Sequence, residues 1–433
     1  MNLNSSLELT SAFGGAYRGK RVLVTGHTGF KGSWLCEWLL ALGAEVTGFA
    51  LDPATSPALF VQLGLSGRIK DVRGDVRDLG AVCKVVAETR PDFVFHLAAQ
   101  ALVRLSYDQP VETYATNIMG TVNVLEALRC YQNELKSQVE VEGQAFPSAT
   151  ELKLPASTHR RVIPAVMITT DKCYENKEWV HSYREEDPMG GYDPYSSSKG
   201  AAELVISAYR RSYFSPSNSN LNLNSRNVRV ASARAGNVIG GGDWALDRIV
   251  PDCIRALKRG EAIPVRNKVA TRPWQHVLEP LSGYLWLGAC LAKAAVEVER
   301  LRSGESPSSD LNLNYNLKQL NALSGAFNFG PALSSNRTVA DLVREILKHW
   351  PGRWDDKSDP HAVHEAMLLN LATDKAHHFL GWKPAWDFEQ TINKTVTWYR
   401  EAGALGSNLH QLTTEQIIAY TAAAKTSGLA WAD

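Results

Sequence analysis

Tyr195 and Lys199 are four residues apart, and no other of the 14 tyrosines in this 433-residue chain has lysine at that spacing. In a helix, positions i and i+4 share a face. A free phenol, with a pKa of about 10, is a poor base at neutral pH, and a neighbouring ammonium favours the phenolate. Taken alone, the pair is either a general base with its helper or an incidental surface pair. A second group lies upstream, where the β-prone run Val166-Met167-Ile168-Thr169 ends in Thr170-Asp171-Lys172. A hydroxyl, a carboxyl and an amine at a strand end can hold a substrate hydroxyl and move protons. The same tripeptide also suits a capped turn.

A third group reads as a phosphate cradle. Gly26-His27-Thr28-Gly29-Phe30-Lys31-Gly32 directly follows the short strand Arg21–Thr25 and opens a helical stretch. Glycines there permit a tight turn and let backbone N–H groups approach a pyrophosphate at a helix N-terminus. Asp52 follows the next strand, 20 residues beyond Gly32. A carboxylate at that spacing accepts from an adenosine ribose and repels a 2′-phosphate, which favours NAD over NADP. Asp75, in a turn after a third short strand, is within reach of the adenine or is a plain turn residue.

These groups need a frame. Strands at Arg21–Thr25, Glu45–Ala50, Phe93–Leu97 and Val162–Thr169 alternate with helical stretches at Ser33–Leu42, Val111–Cys130 and Pro194–Tyr213. The alternation predicts an α/β fold with a doubly wound parallel sheet, and a ligand site off the carboxyl ends of its strands. Beyond Gly240 the pattern becomes irregular and richer in Pro and Trp, as a smaller substrate-capping lobe would be. Stretches 131–160, 215–227 and 303–324 are polar and rich in Ser, Asn or Gln. The last two repeat Leu-Asn-Leu-Asn, and all three are expected as surface inserts.

Composition narrows the function. Lys plus Arg at 46 against Asp plus Glu at 45 leaves no polyanion footprint, so nucleic acid is not an expected partner. The polar N-terminal stretch shows no secretory signal, and the longest apolar run, Leu285–Val296, is too short to span a membrane and reads as a buried helix. The six cysteines are scattered without paired spacing and suit a reducing cytoplasm. No histidine or cysteine grouping has metal-ligand spacing, so no metal is expected. Trp244 and Trp274 are expected as core aromatics rather than base-stacking platforms.

Five further matches carry a family resemblance: Gly26–Trp34, His96-Leu97-Ala98-Ala99-Gln100, Thr170-Asp171-Lys172-Cys173-Tyr174-Glu175-Asn176, Arg234–Val238 and Arg272-Pro273-Trp274-Gln275-His276. The chain resembles the extended short-chain dehydrogenase/reductases, within them the sugar-nucleotide 4,6-dehydratases, and most closely the branch acting on CDP-glucose. The resemblance runs from about Arg18 to Arg400, apart from the inserts.

The resemblance implies a Rossmann-type NAD-binding domain over 18–236, to which segments near 268–290 and 325–330 return. It also implies a substrate lobe mainly over 237–400 and a helical tail at 401–433. NAD contacts are implied for Gly26, Thr28, Gly29, Phe30, Lys31, Gly32, Asp52, Asp75, Val76, Leu97, Ala98 and Ala99, with Tyr195 and Lys199 beside the nicotinamide. The implied chemistry oxidises the sugar at C4, eliminates water across C5 and C6, and returns hydride to C6. Tyr195 would take the 4-hydroxyl proton, assisted by Thr170 and Lys199. Asp171 would protonate the departing 6-hydroxyl. Lys172 stands where thymidine-nucleotide relatives carry a glutamate base. Arg104, Asn237, Arg248 and Arg272 would hold the nucleotide sugar, and a homodimer is implied. A 4-epimerase or reductase would share Tyr195, Lys199 and NAD without needing the Asp171/Lys172 pair. An NAD-binding redox sensor could dispense with Tyr195 and Lys199.

Overall fold

The computed structural model describes residues 9–141, 162–215, 227–302, 310–358, 368–404 and 406–433. Its centre is a seven-stranded parallel sheet. The strands are β1 (Arg21–Thr25), β2 (Glu45–Ala50), β3 (Lys70–Arg73), β4 (Phe93–His96), β5 (Val162–Ile168), β6 (Asn227–Ala235) and β7 (Ala326–Phe329). Their spatial order is β3-β2-β1-β4-β5-β6-β7. The order reverses between β1 and β4, which opens a crevice at the carboxyl ends of those strands. Strands β4 and β6 are buried along their whole length. A parallel sheet covered on both faces buries its strands completely. Strand β6 alternates Val and Ala with Arg229, Ser232 and Arg234, each of which has a hydrogen-bond partner inside the protein.

The flanking helices are α1 (Phe30–Ala41), α2 (Leu79–Thr89), α3 (Gly120–Val141), α4 (Pro194–Ser212), α5 (Ile249–Arg259), α6 (Leu278–Arg302), α7 (Asp310–Leu323), α8 (Phe388–Glu401) and α9 (Leu409–Thr426). Local chemistry fixes several ends. Asp193 caps α4 by accepting from Ser196 N–H, with Pro194 in its first turn. Asp387 and Gln390 form a reciprocal capping box on α8. Gly260, at φ +69, ends α5 in the left-handed conformation.

Three elements differ from expectation. The helix expected at Val111–Cys130 starts as Pro110–Tyr114, widens into a π turn at Ala115–Met119, and continues as α3 to Val141. The polar insert expected from Tyr131 therefore begins later, and its remainder, like most of 215–227, lies outside the described residues. The third insert contains α7, whose Leu320 and Leu323 are buried and whose Leu313 and Leu317 pack on the core. The apolar run Leu285–Val296 belongs to a longer helix than expected. Helix α6 is long and apolar enough to cross a membrane, but 67% of its most apolar window is buried inside the protein. The C-terminal segment is a core component: Tyr420 and Trp431 are fully buried, and Trp431 stacks on Phe13 with centroids 4.9 Å apart.

Candidate active site

The glycine turn joins β1 to α1. Gly26 has φ +76, and a Cβ there would lie 2.7 Å from Ala98 N. A Cβ on Gly32 would lie 2.1 Å from Gly26 O. Both positions therefore exclude a side chain. Gly29 caps α1 and offers no side chain to its first N–H groups. The glycines let the turn, the exit of β4 and α1 pack closely while the α1 N-terminus stays uncapped. Backbone N–H groups left open there suit a pyrophosphate, so the residues present fit a dinucleotide. Thr28 donates to Leu51 O at 3.0 Å, tying this turn to the exit of β2. Asp52 lies just past β2 with its carboxylate 91% exposed. Asp75, expected near the adenine, is gripped by Arg77 Nε and Nη2 at 2.8 and 2.6 Å, and this pairing holds its pKa below the usual carboxylate value. Val76 is buried beside it, with its carbonyl accepting from Asn123 at 2.9 Å. Beyond β4, Leu97 N–H donates to Thr25 O and Ala98 N–H to Thr25 Oγ1, which holds Leu97, Ala98 and Ala99 along the crevice.

The residues expected to move protons lie together at the ends of β5 and α4. A short 3₁₀ turn, Asp171–Cys173, follows β5. Within it Thr170 Oγ1 donates to Asp171 Oδ1 at 2.8 Å and accepts from Lys172 N–H at 3.4 Å. Asp171 is buried, which raises its pKa against the pull of Lys172, Thr170, Arg272 and Lys31. A carboxyl so placed holds its proton to higher pH than a free one. Tyr195 and Lys199 are both buried. Burial pushes the Tyr195 phenol up to about 12, while Thr170 and Arg248 favour the phenolate and Asp171 opposes it. The lowering expected from Lys199 is absent: in the free protein desolvation outweighs the neighbouring cations. Lys199 itself is brought down to about 8 by burial, with Glu203 pulling the other way.

The expected substrate ligands are less uniformly gathered. Arg248 faces Tyr195 and is held by Asp243 at 2.8 Å. Arg272 approaches Asp171, and Asn237 follows Gly236, where a Cβ would lie 3.0 Å from Asp171 Oδ2. Arg104 is exposed and paired with Asp247 at 3.4 Å. Lys31, expected along the cofactor, sits with its ammonium 6.0 Å over the Tyr284 ring, near Asp171, Arg248 and Lys199, and burial lowers it to about 8. Phe30 lies against Gly240. Trp274 is buried with its indole N–H on Arg337 O, and Trp244 donates to Gln62, so both serve packing.

Several supporting residues have no marker of their own in the sequence. Asn117, in the π turn, exchanges hydrogen bonds with the Gln100 backbone at 2.9 and 3.0 Å and donates to Ser198 Oγ at 2.8 Å. It thereby ties the exit of β4 to the helix of Tyr195 and Lys199. A π turn is a common device at functional sites. Glu203, one turn beyond Lys199, accepts from Thr169, Ser232 and Arg234 in a buried network, the last two at 2.8 Å. Tyr284 brings a buried hydroxyl with no hydrogen-bond partner among the described residues close to Tyr195 and Asp171.

Known proteins match this arrangement. The sequence family described as GDP-mannose 4,6 dehydratase matches residues 23–288. The CDP-glucose 4,6-dehydratase of Salmonella typhimurium is 42% identical over 388 residues, covering 89% of this chain and 91% of that protein. The dTDP-glucose 4,6-dehydratase of Neisseria gonorrhoeae is 26% identical over 390 residues, covering 88% and 95%. A dTDP-glucose 4,6-dehydratase from Streptomyces venezuelae, solved with NAD bound, shares the fold with a TM-score of 0.62 at 21% identity, over 88% of this chain and 97% of that one. An epimerase from Methanothermobacter thermautotrophicus does so with a TM-score of 0.65, also at 21% identity, over 92% and 96%. The match over most of the chain joins the glycine cradle and the Thr-Asp-Lys turn in one conclusion: this chain belongs to the sugar-nucleotide 4,6-dehydratase family.

Proposed function

We propose that the protein is a hydro-lyase that converts CDP-glucose to CDP-4-keto-6-deoxyglucose in deoxysugar biosynthesis, with NAD held by the glycine cradle and Asp52. The observation that carries this reading is the buried Asp171 carboxyl, raised in pKa and set beside Thr170 and Tyr195. A 4-epimerase needs a base for one hydroxyl. A dehydratase needs, in addition, an acid for a departing hydroxyl, and Asp171 supplies it. Bound NAD supplies the hydride acceptor for C4 and the donor for C6.

The chain's own groups do the rest. Tyr195 takes the proton of the sugar 4-hydroxyl, with the Thr170 hydroxyl favouring the phenolate. The Tyr195 phenol, at about 12 in the protein alone, would be drawn downward by the positive charge of an oxidised nicotinamide bound beside it. Asp171 protonates the 6-hydroxyl as it leaves. Lys172, next in the turn, acts at C5, either taking its proton or stabilising the charge that develops when the proton goes. Arg248 and Arg272 suit the diphosphate, since guanidinium forks bind its oxygens bidentately.

The site is expected in a cytoplasmic homodimer joined through two helices per subunit. Val111 on the Pro110–Tyr114 helix and Leu204 on α4 are 73% and 61% exposed, and these two helices pack side by side. The deciding experiment incubates the protein with CDP-, dTDP-, UDP- and GDP-glucose and follows the 4-keto-6-deoxy product. Turnover of CDP-glucose is expected, and turnover of dTDP-glucose alone would overturn the substrate assignment.

A further inference from the structure

Arg73 ends β3 at the adenosine side of the crevice, next to the carboxylate that is expected to read the ribose. Its guanidinium is fixed on several sides. Nη1 donates to Leu51 O at 3.1 Å, Nη2 donates to Asp71 Oδ2 at 2.9 Å, and the guanidinium carbon lies 4.8 Å from the centre of the Phe60 ring. Asp71 is in turn anchored by His27 Nε2 at 2.8 Å, and the His27 ring is fully buried under the glycine turn. Nη1 of Arg73 then stands 3.7 Å from Asp52 Oδ1. A continuous chain, His27–Asp71–Arg73–Asp52, thus runs from the phosphate cradle to the exposed carboxylate beyond β2.

The last two members of this chain carry opposite instructions. An aspartate after β2 accepts from the ribose hydroxyls and repels a 2′-phosphate, whereas an arginine nearby accommodates that phosphate. Here both are present, and the arginine is the better held of the two: its side chain is 35% exposed against 91% for Asp52. The proposed reaction itself calls for no guanidinium at this point. We infer that Arg73 is a coenzyme-selectivity residue, offsetting the repulsion by Asp52 so that the site admits a 2′-phosphorylated dinucleotide as well as NAD. NAD remains the tighter ligand through its ribose hydroxyls on Asp52. The 2′-phosphate of NADP is received by the N–H groups of Arg73 that Leu51 O and Asp71 leave unused, on a guanidinium already held in place by those two bonds.

This inference rests on the NAD reading above, and direct binding separates the two. Isothermal titration measures the Kd of NAD and of NADP for the full chain, Arg73→Met and Arg73→Lys, without any sugar nucleotide. The wild type is expected to bind NADP about tenfold more weakly than NAD. Arg73→Met should leave the NAD Kd within about threefold and weaken NADP by about a further tenfold. Arg73→Lys, which keeps the charge and loses the fork, should fall between them. Higher salt should narrow the gap between wild type and Arg73→Met for NADP. An NADP-to-NAD ratio unchanged in both variants would overturn the inference, as would equal weakening of both dinucleotides or no NADP binding by the wild type. Absence of NAD binding to the wild type would overturn the cofactor reading and this inference with it.

Discussion

The Thr170 hydroxyl donates to the Asp171 carboxylate at 2.8 Å while also flanking the Tyr195 phenol. A hydroxyl has one proton to give. With Tyr195 neutral and Asp171 ionised, that proton belongs on Asp171. With Tyr195 ionised and Asp171 protonated, it belongs on Tyr195. The one rotor therefore favours base and acid reaching their working forms together. Thr170→Val should lower kcat by roughly 10²-fold, the scale of one positioned proton-handling group. Because Thr170 favours the phenolate, its loss should also move the rising limb of the kcat/KM pH profile to higher pH. Thr170→Ser should restore both, and a Val variant with an unmoved profile would assign Thr170 to turn structure alone.

Tyr195→Phe removes the proposed base and keeps the ring. NAD should still bind, because most of its contacts are assigned to the glycine turn and Asp52, while product formation should fall to background. The paired measurement is calorimetric NAD binding with a product assay. Turnover at the wild-type rate would remove Tyr195 from the mechanism.

Lys172→Met keeps the stem length and removes the amine. Because Lys172 is assigned to elimination, the variant should still oxidise C4 in a single turnover, with little 6-deoxy sugar formed. Deuterium from solvent should enter C5 slowly. A variant that cannot oxidise C4, while binding NAD and sugar nucleotide normally, would move Lys172 to the first step.

Glu279 is a fully buried carboxyl whose pKa is raised to about 7 by desolvation, although Tyr420 and the Ala385 and Trp386 N–H groups donate to it. The native state thus holds a proton that the unfolded chain releases near pH 4.5. This contribution is present in full below about pH 4.5 and is lost as pH rises through 7, on the scale of ~3 kcal/mol at 1.36 kcal/mol per unit. Glu279→Gln should flatten the pH dependence of Tm between pH 5 and 8, as measured by calorimetry at several pH values. An identical pH slope in wild type and variant would contradict it.

The legible parts of this protein are those whose signals are local in sequence. The glycine turn, the Thr170–Lys172 turn and the Tyr195/Lys199 pair each declare themselves within a few residues, and the alternation of strand and helix declares the sheet. Asn117, Glu203, Tyr284 and Arg73 do not, because each matters only through groups brought close by folding: Ser198 for Asn117, Arg234 for Glu203, Tyr195 and Asp171 for Tyr284, Asp52 for Arg73. Asp75 was readable as a turn carboxylate, but its capture by Arg77 depends on side-chain geometry within the turn. Helix α7 shows a different failure. Its asparagines suggest a loop by composition, yet Leu313, Leu317, Leu320 and Leu323 already carry helical spacing, and that spacing is what the fold uses.

The placement of α9 has a consequence for the order of assembly. Glu37, on the helix that follows the glycine turn, is bound by Arg68, by His410 Nδ1 at 2.6 Å and by Thr414. Trp38, on the same helix, packs edge-on against both Tyr420 and Trp431. The outer side of α1 is therefore built from residues almost four hundred positions downstream. A ribosome that has made every strand of the sheet has not yet supplied the wall behind the cofactor helix. Until residues 409–432 emerge, the large apolar side chains of α1 lack their cover, and the nascent chain is exposed to chaperones and proteases. The dinucleotide lobe, encoded first, is on this account among the last parts of the molecule to close.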